Sequence, residues 1–229
     1  MVMNFKSKVI SNELIADSIK LMKLTAPADL TFKPGQFISI VIEENGKTKL
    51  RPYSLFNPPS QKDSIDFLYK LIPEGLSTPI MWKSKPGDEF ELKGPFGRFL
   101  FDEKTENKEH WFIANGTGVA PFHSMLLEFL PKSPEKNFHL IFGVRSKEHL
   151  CMHDDLCALI DKYPNFTYTP TLSRENWEGS MGRVQAHLPE DLSNKTFYIC
   201  GLKEMVNDTK ALLESKGVDK KDIHLERYS

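Results

Sequence analysis

Cysteine is scarce in this chain, with only Cys151, Cys157 and Cys200 among 229 residues. An odd count at these separations fits neither a zinc framework nor the C-x4-C-x2-C run of a plant-type iron-sulfur cluster, so neither a metal centre nor a disulfide framework is expected. Cys151 and Cys157 lie in a helix-like stretch, where buried free thiols are the expectation. No apolar run approaches the ~20 residues of a membrane span. The start, Met1 to Lys8, lacks the hydrophobic centre of a signal peptide, which points to a cytoplasmic protein with no membrane partner. An excess of one charge is lacking too: 30 Lys and Arg against 31 Asp and Glu leave a net charge of -1, and hence no bulk attraction to nucleic acid. Internal repeats and low-complexity tracts are absent. What remains is an ordinary globular composition, 40% hydrophobic and 27% charged, at a length that suits one large or two modest domains.

Two grammars divide the chain. Up to about residue 102, short strand-like segments alternate with turn residues. The segments are Ile19 to Leu24, Phe37 to Ile42, Lys47 to Leu50, Ile65 to Ile72 and Glu89 to Leu92, and the turns are Pro34-Gly35, Asn45-Gly46 and Pro86-Gly87-Asp88. Their β-branched and aromatic content predicts an antiparallel β-barrel over residues 1–102. From Lys108 onward strands alternate with helices, the signature of βαβ units. Trp111 to Ala114, Phe138 to Phe142, Phe166 to Thr171, Thr196 to Cys200 and Ile223 to Leu225 are the expected strands. Pro121 to Leu130, His153 to Lys162, Val184 to Leu188 and Lys203 to Lys216 are the expected helices. Residues 108–229 are therefore expected to form an α/β doubly wound, parallel, five-stranded sheet, with the charged run Asp102 to Glu109 as linker.

Three motifs carry chemistry. Gly116, Thr117 and Gly118 follow the apolar Trp111-Phe112-Ile113 and precede a helix-like stretch, which is the grammar of strand, glycine turn and helix that cradles a pyrophosphate. Pro121 stands where the last glycine of G-x-G-x-x-G would be and suits a first helical turn. Taken alone, the turn serves equally well as a plain structural bend. Arg51-Pro52-Tyr53-Ser54 places a guanidinium and an aromatic ring on one strand face, fit either to pair a phosphate and stack on a planar ring or to serve as a surface arginine beside a core tyrosine. Gly75-Leu76-Ser77-Thr78 before Pro79 reads as a helix start, fit either for an anion or for simple capping.

In this order, together with Pro34-Gly35-Gln36-Phe37, Gly94-Pro95-Phe96-Gly97-Arg98-Phe99 and Tyr198-Ile199-Cys200-Gly201, these motifs resemble the ferredoxin-NADP reductase family of flavoproteins over nearly the whole chain. The resemblance implies bound FAD, with Arg51 on its pyrophosphate, Tyr53 against the isoalloxazine ring and Ser54 near the reactive ring nitrogen. Gly75, Ser77 and Thr78 would hold the FAD pyrophosphate, and Tyr69 and Lys70 lie on the strand that passes the cofactor in relatives. FMN is the alternative, but G-x-x-[ST] argues for the longer cofactor.

The same resemblance makes Gly116, Thr117, Gly118 and Pro121 the nicotinamide-dinucleotide turn. Arg145, at the end of the next strand, with Ser173-Arg174 and Gly182-Arg183, is similar to the elements that bacterial relatives use on a 2′-phosphate, so NADPH is expected rather than NADH. Trp177-Glu178-Gly179 is instead similar to NADH-using oxygenase reductases, and Leu150-Cys151-Met152 stands where relatives place an adenine-stacking aromatic. Cys200 and Gly201 border the nicotinamide by resemblance. Glu226 and Tyr228 match a terminal segment whose aromatic covers the flavin until nicotinamide displaces it, here followed by one extra residue, Ser229. The implied activity is electron transfer between NADPH and ferredoxin or flavodoxin, by a cytoplasmic monomer. The alternatives are a reductase for an oxygenase, free flavin or ferric iron, and a non-catalytic electron-transfer subunit.

Overall fold

A computed structural model describes residues 2–44 and 47–228. The expected Asn45-Gly46 turn and Ser229 lie outside the described residues. The chain forms two compact units, one of residues up to Phe101 together with His123–Glu128, the other of Asp102–Phe122 and the residues from Phe129 onward.

The first unit contains strands β1 (Met3–Ala16), β2 (Ile19–Thr25), β3 (Phe37–Glu44), β4 (Lys47–Ser54), β5 (Ser64–Lys70) and β6 (Glu89–Phe96) and a short helix α1 (Thr78–Lys83). The sheet runs β4-β3-β6-β1-β2-β5, with every pair antiparallel, and a bridge from Leu55 to Phe67 joins its two edges into a barrel. Ile38, Ile40, Met22, Leu24, Phe67 and Leu92 fill the interior, and Met81 of α1 packs against them. β1 has no counterpart among the sequence expectations. It turns Ser7 and Val9 inward while Ile10 and Leu14 face outward, which blurs the alternation that marks a strand. Ser7 is accommodated because its hydroxyl donates to the Thr25 carbonyl at 2.8 Å.

The second unit contains β7 (Glu109–Asn115), β8 (Asn137–Val144), β9 (Phe166–Leu172), β10 (Ser180–Met181), β11 (Lys195–Leu202) and β12 (Ile223–Tyr228), with helices α2 (Ala120–Phe129, its middle counted with the first unit), α3 (His153–Lys162) and α4 (Lys203–Ser215). All pairs are parallel in the order β10-β9-β8-β7-β11-β12. The sheet thus has six strands where five were expected. The added β10 is two residues long, too short to leave a periodic trace. The expected helix from Val184 to Leu188 is a single 3-10 turn, Val184–His187. Pro189 disfavours helical backbone at Leu188, which is extended at φ -66° and ψ 147°.

The inner strands of a parallel sheet bury both faces, which explains their continuous apolar runs. Phe112 stacks on Phe122 at 5.0 Å and meets Tyr198 edge-on at 5.2 Å, while Ile113, Ile141 and Ile199 face Val206 and Leu213 of α4. No helix among the described residues is long and apolar enough to cross a membrane.

His110 is buried between Phe138 and Tyr198, and its burial, reinforced by the Lys136 charge, pushes the imidazole down to about 3. The folded chain holds the ring neutral, whereas the unfolded chain takes up a proton near its ordinary value of 6.5. The unfolded state therefore binds more protons between the two values, and stability declines as pH falls through that window. Urea unfolding at about pH 7 and about pH 4.5 should show a smaller loss in His110→Phe than in the wild type. An equal loss in both would assign the acid sensitivity elsewhere.

Candidate functional site

In the barrel unit, β4 carries Arg51 and Tyr53 toward the same side, and α1 brings a second motif to meet them. The Tyr53 ring stacks on Phe67 at 4.9 Å, and its hydroxyl lies 3.1 Å from Ser77 Oγ at the helix N-cap. Burial pushes the Tyr53 phenol up, against the opposing pull of the Ser77 hydrogen bond and the Arg51 charge. Arg-Pro-Tyr-Ser and Gly-Leu-Ser-Thr, 24 residues apart at this contact, are therefore one cluster. Arg51 is half-buried, with Nη1 donating to the Leu50 carbonyl at 3.3 Å; Pro52 is exposed and Ser54 is buried.

Other motif residues have structural duties. The Thr78 hydroxyl accepts from the Ile72 amide at 2.9 Å and donates to the Ile72 carbonyl at 3.0 Å, so it closes the 72–78 loop. Gly75 donates its amide to the same carbonyl at 2.8 Å, and a Cβ there would lie 3.1 Å from Ile72 Cβ. Tyr69 is a core residue, 1% exposed, with its hydroxyl donating to Asn12 Oδ1 at 2.8 Å. Strand alternation puts Lys70 on the opposite side, exposed. The structure thus gathers Arg51, Tyr53 and Ser77, with Tyr69 in the interior behind them, its ring edge-on to Tyr53 at 6.4 Å.

In the second unit, β7 ends in a 3-10 turn, Gly116–Val119, that runs into α2 with Pro121 in its first turn. Gly116 has φ +53° and open space around it, with nothing within 4 Å of where a Cβ would be. Gly118 differs, since a Cβ there would overlap the Cys200 carbonyl oxygen and lie 2.7 Å from Gly201 Cα. Gly201 has φ +146°, and the place of its missing side chain is filled by Asn115 Oδ1, which accepts from the Leu202 amide at 2.8 Å. The lack of a side chain at Gly118 thus makes room for the backbone of β11.

The neighbouring strands end at the same edge. The Arg174 amide donates to the Arg145 carbonyl at 2.9 Å, and both the Ser173 amide and its hydroxyl donate to the Val144 carbonyl, at 3.0 and 3.2 Å. Arg145, Ser173 and Arg174 are exposed and joined through their backbones. Arg183 follows β10, equally exposed, with Nη1 3.8 Å from Asp208 Oδ2. Trp177 donates Nε1 to the Ser180 carbonyl at 2.6 Å and covers Gly179, whose lack of a side chain makes room for the ring. The strand order reverses between β7 and β11, and the crevice outside the carboxyl ends of such strands is where open α/β sheets hold ligands.

Cys200 is fully buried on the β11 side of this crevice. Burial pushes its thiol well up, the Glu226 charge adds to that, and a hydrogen bond with Tyr228 opposes it. Sγ lies 3.9 Å from Glu226 Oε2, its register partner on β12. The thiol is neutral at physiological pH, which makes it a packing group and not a nucleophile. Tyr228 is half-buried and pairs in register with Leu202. Asn115 was not singled out from the sequence. Its only sequence signal is an amide side chain at the last strand position before a glycine turn.

Residues 6–101 match the oxidoreductase FAD-binding domain family, and residues 112–211 match the oxidoreductase NAD-binding domain family. The chain is 32% identical over 209 residues to ferredoxin--NADP reductase B of Sorangium cellulosum, covering 86% of this chain and 85% of that one. It is 29% identical over 223 residues to the reductase component of phenol 2-monooxygenase from Pseudomonas sp., covering 93% of this chain but only 62% of the relative. The chain thus spans less than two thirds of that oxygenase component. A solved ferredoxin NADP+ reductase from Neisseria gonorrhoeae shares the fold, with a TM-score of 0.86 and 24% identity over 98% of each chain.

The two glycines of the turn should respond differently to a methyl group. Gly116→Ala meets only left-handed backbone strain, about 1–2 kcal/mol. Gly118→Ala forces the turn away from β11 and should destabilise by more than that, a ranking that chemical denaturation reads directly. The opposite ranking would remove the close backbone approach as the reason for Gly118.

Proposed function

The chain belongs to the ferredoxin reductase-like family of FAD-dependent oxidoreductases, and on that footing we propose that it passes electrons between NADPH and a one-electron carrier, ferredoxin or flavodoxin. The observation that carries this reading is the backbone pairing of Arg145 with Arg174 beside Ser173, which offers two guanidiniums to a 2′-phosphate, and a hydroxyl that would turn from the Val144 carbonyl to donate to it. Arg183 is the third cation in the proposal. The ferredoxin--NADP reductase relative supports the same choice of nucleotide and carrier. A cytoplasmic monomer is part of the proposal.

The barrel residues fit a flavin dinucleotide. Arg51 supplies a cation for a pyrophosphate, Tyr53 keeps one ring face on Phe67 and is only half-buried, and Ser54 adds a hydroxyl at the end of the same strand. When bound, FAD supplies the ability to accept a hydride as an electron pair and release electrons singly. Ser77 fixes Tyr53 through its hydroxyl, so the ring is oriented before a ligand arrives. In the other unit, the open turn at Gly116 and Thr117 is the proposed dinucleotide cradle, with Pro121 leaving no amide unsatisfied. Cys200, Gly201, Glu226 and Tyr228 are proposed to border the nicotinamide, where a neutral Cys200 thiol packs without exchanging a proton.

One observation favours a second reading. The similarity to a phenol 2-monooxygenase reductase component, together with Trp177 folded over Gly179, suits an NADH-dependent reductase serving an oxygenase. Anaerobic flavin reduction by NADPH and by NADH separates the two. We expect NADPH to be preferred, and Arg174→Ala to raise the NADPH KM by about tenfold or more with little change for NADH. Equal effects on both nucleotides would remove the 2′-phosphate assignment, and no reduction by either would remove the enzyme reading.

A further inference from the structure

Asn115 occupies the last position of β7, and its Oδ1 accepts from the Leu202 amide at 2.8 Å. A backbone amide can only donate, so the atom that faces it must be the carboxamide oxygen, and the orientation of the side chain is fixed by chemistry. Its Nδ2 then points away from Leu202. That nitrogen is accessible and has no partner among the described residues. It carries two donors beside Gly116, at the strand pair where the sheet order reverses. Gly201, with no side chain, makes room for the carboxamide.

We propose that Asn115 is a further nucleotide-positioning residue, whose carboxamide is clamped by the Leu202 amide at one end and donates from Nδ2, at the other, to an acceptor oxygen on the nicotinamide half of the dinucleotide. The inference rests on the dinucleotide reading of this crevice. It adds a ligand-directed role to a side chain that also ties the end of β11 to the glycine turn. These two duties separate in substitution. Asn115→Asp keeps an oxygen for the Leu202 amide and loses the donor, whereas Asn115→Ala loses both.

The test is calorimetric binding of NADP+ or NAD+, whichever the wild type binds, beside the matching adenosine fragment, 2′-phospho-AMP or AMP, with thermal unfolding of each variant. Both variants should bind the dinucleotide about tenfold more weakly and the fragment as the wild type does, while Asn115→Asp alone retains the wild-type melting temperature. Recovery of dinucleotide affinity in Asn115→Asp would reduce Asn115 to a structural clamp and overturn the proposal. Equal weakening of dinucleotide and fragment by Asn115→Asp would mean general charge repulsion, and would overturn it as well. Failure of the wild type to bind either dinucleotide would instead sink the functional reading, and this inference with it.

Discussion

The second unit depends on one close approach, that of the turn after β7 to the end of β11. Its backbones come so near that a single methyl on Gly118 would overlap the Cys200 carbonyl. The approach is held by a hydrogen bond from the Leu202 amide to Asn115 Oδ1, which passes through the space that Gly201 leaves empty. Two glycines and one asparagine thus replace what would otherwise be a side-chain layer between neighbouring strand ends. With that layer gone, the carboxyl edge of the sheet presents backbone and small groups at the point where strand order reverses, which is what close access to a polar ligand requires.

The barrel unit solves a related problem with side chains. Its motif residues stand on a strand and on a short helix, which have no backbone pairing to align them. The contact between the Tyr53 hydroxyl and Ser77 Oγ aligns them, and Phe67 supports the ring from behind. The Thr78 hydroxyl and the Gly75 amide both converge on the Ile72 backbone, so the loop that delivers Ser77 is closed upon itself. Of the three residues read from this motif, Ser77 faces Tyr53, and Gly75 and Thr78 also build the loop. Such a division is common where a binding group needs its own support to keep a single geometry.

Much of this was legible in the sequence because the two units obey different periods. The runs from Trp111 to Ala114 and from Phe138 to Phe142 are apolar on both faces, and only a covered parallel sheet accommodates that. Turn residues bracketed the barrel strands for the same kind of local reason. What escaped was non-local. β1 hides its alternation because Ile10 and Leu14 face outward, and β10 exists only because Ser180 and Met181 lie beside Thr171 and Leu172. Gly118 was legible as a necessary glycine, but its close approach to β11 was not, since Cys200 is 82 residues further along the chain and only the folded sheet brings the two together. Tyr69 was read from its strand, but not the partner that lets its hydroxyl be buried, since Asn12 is 57 residues away in the chain.

The chemistry of Cys200 follows from the same close approach. A thiol at a ligand-binding edge invites reading as a nucleophile, but thiolate character requires water or a cation nearby. Here the turn at Gly118 seals the backbone of Cys200, the side chain is fully buried, and the carboxylate of Glu226 lies 3.9 Å away. Each of these opposes ionisation, and the single hydrogen bond from Tyr228 does not outweigh them. The packing that demands glycine at 118 and 201 therefore also keeps sulfur neutral at 200. A neutral, buried sulfur leaves this strand end without a nucleophile of its own, so its part in the proposed nicotinamide site is to pack and place.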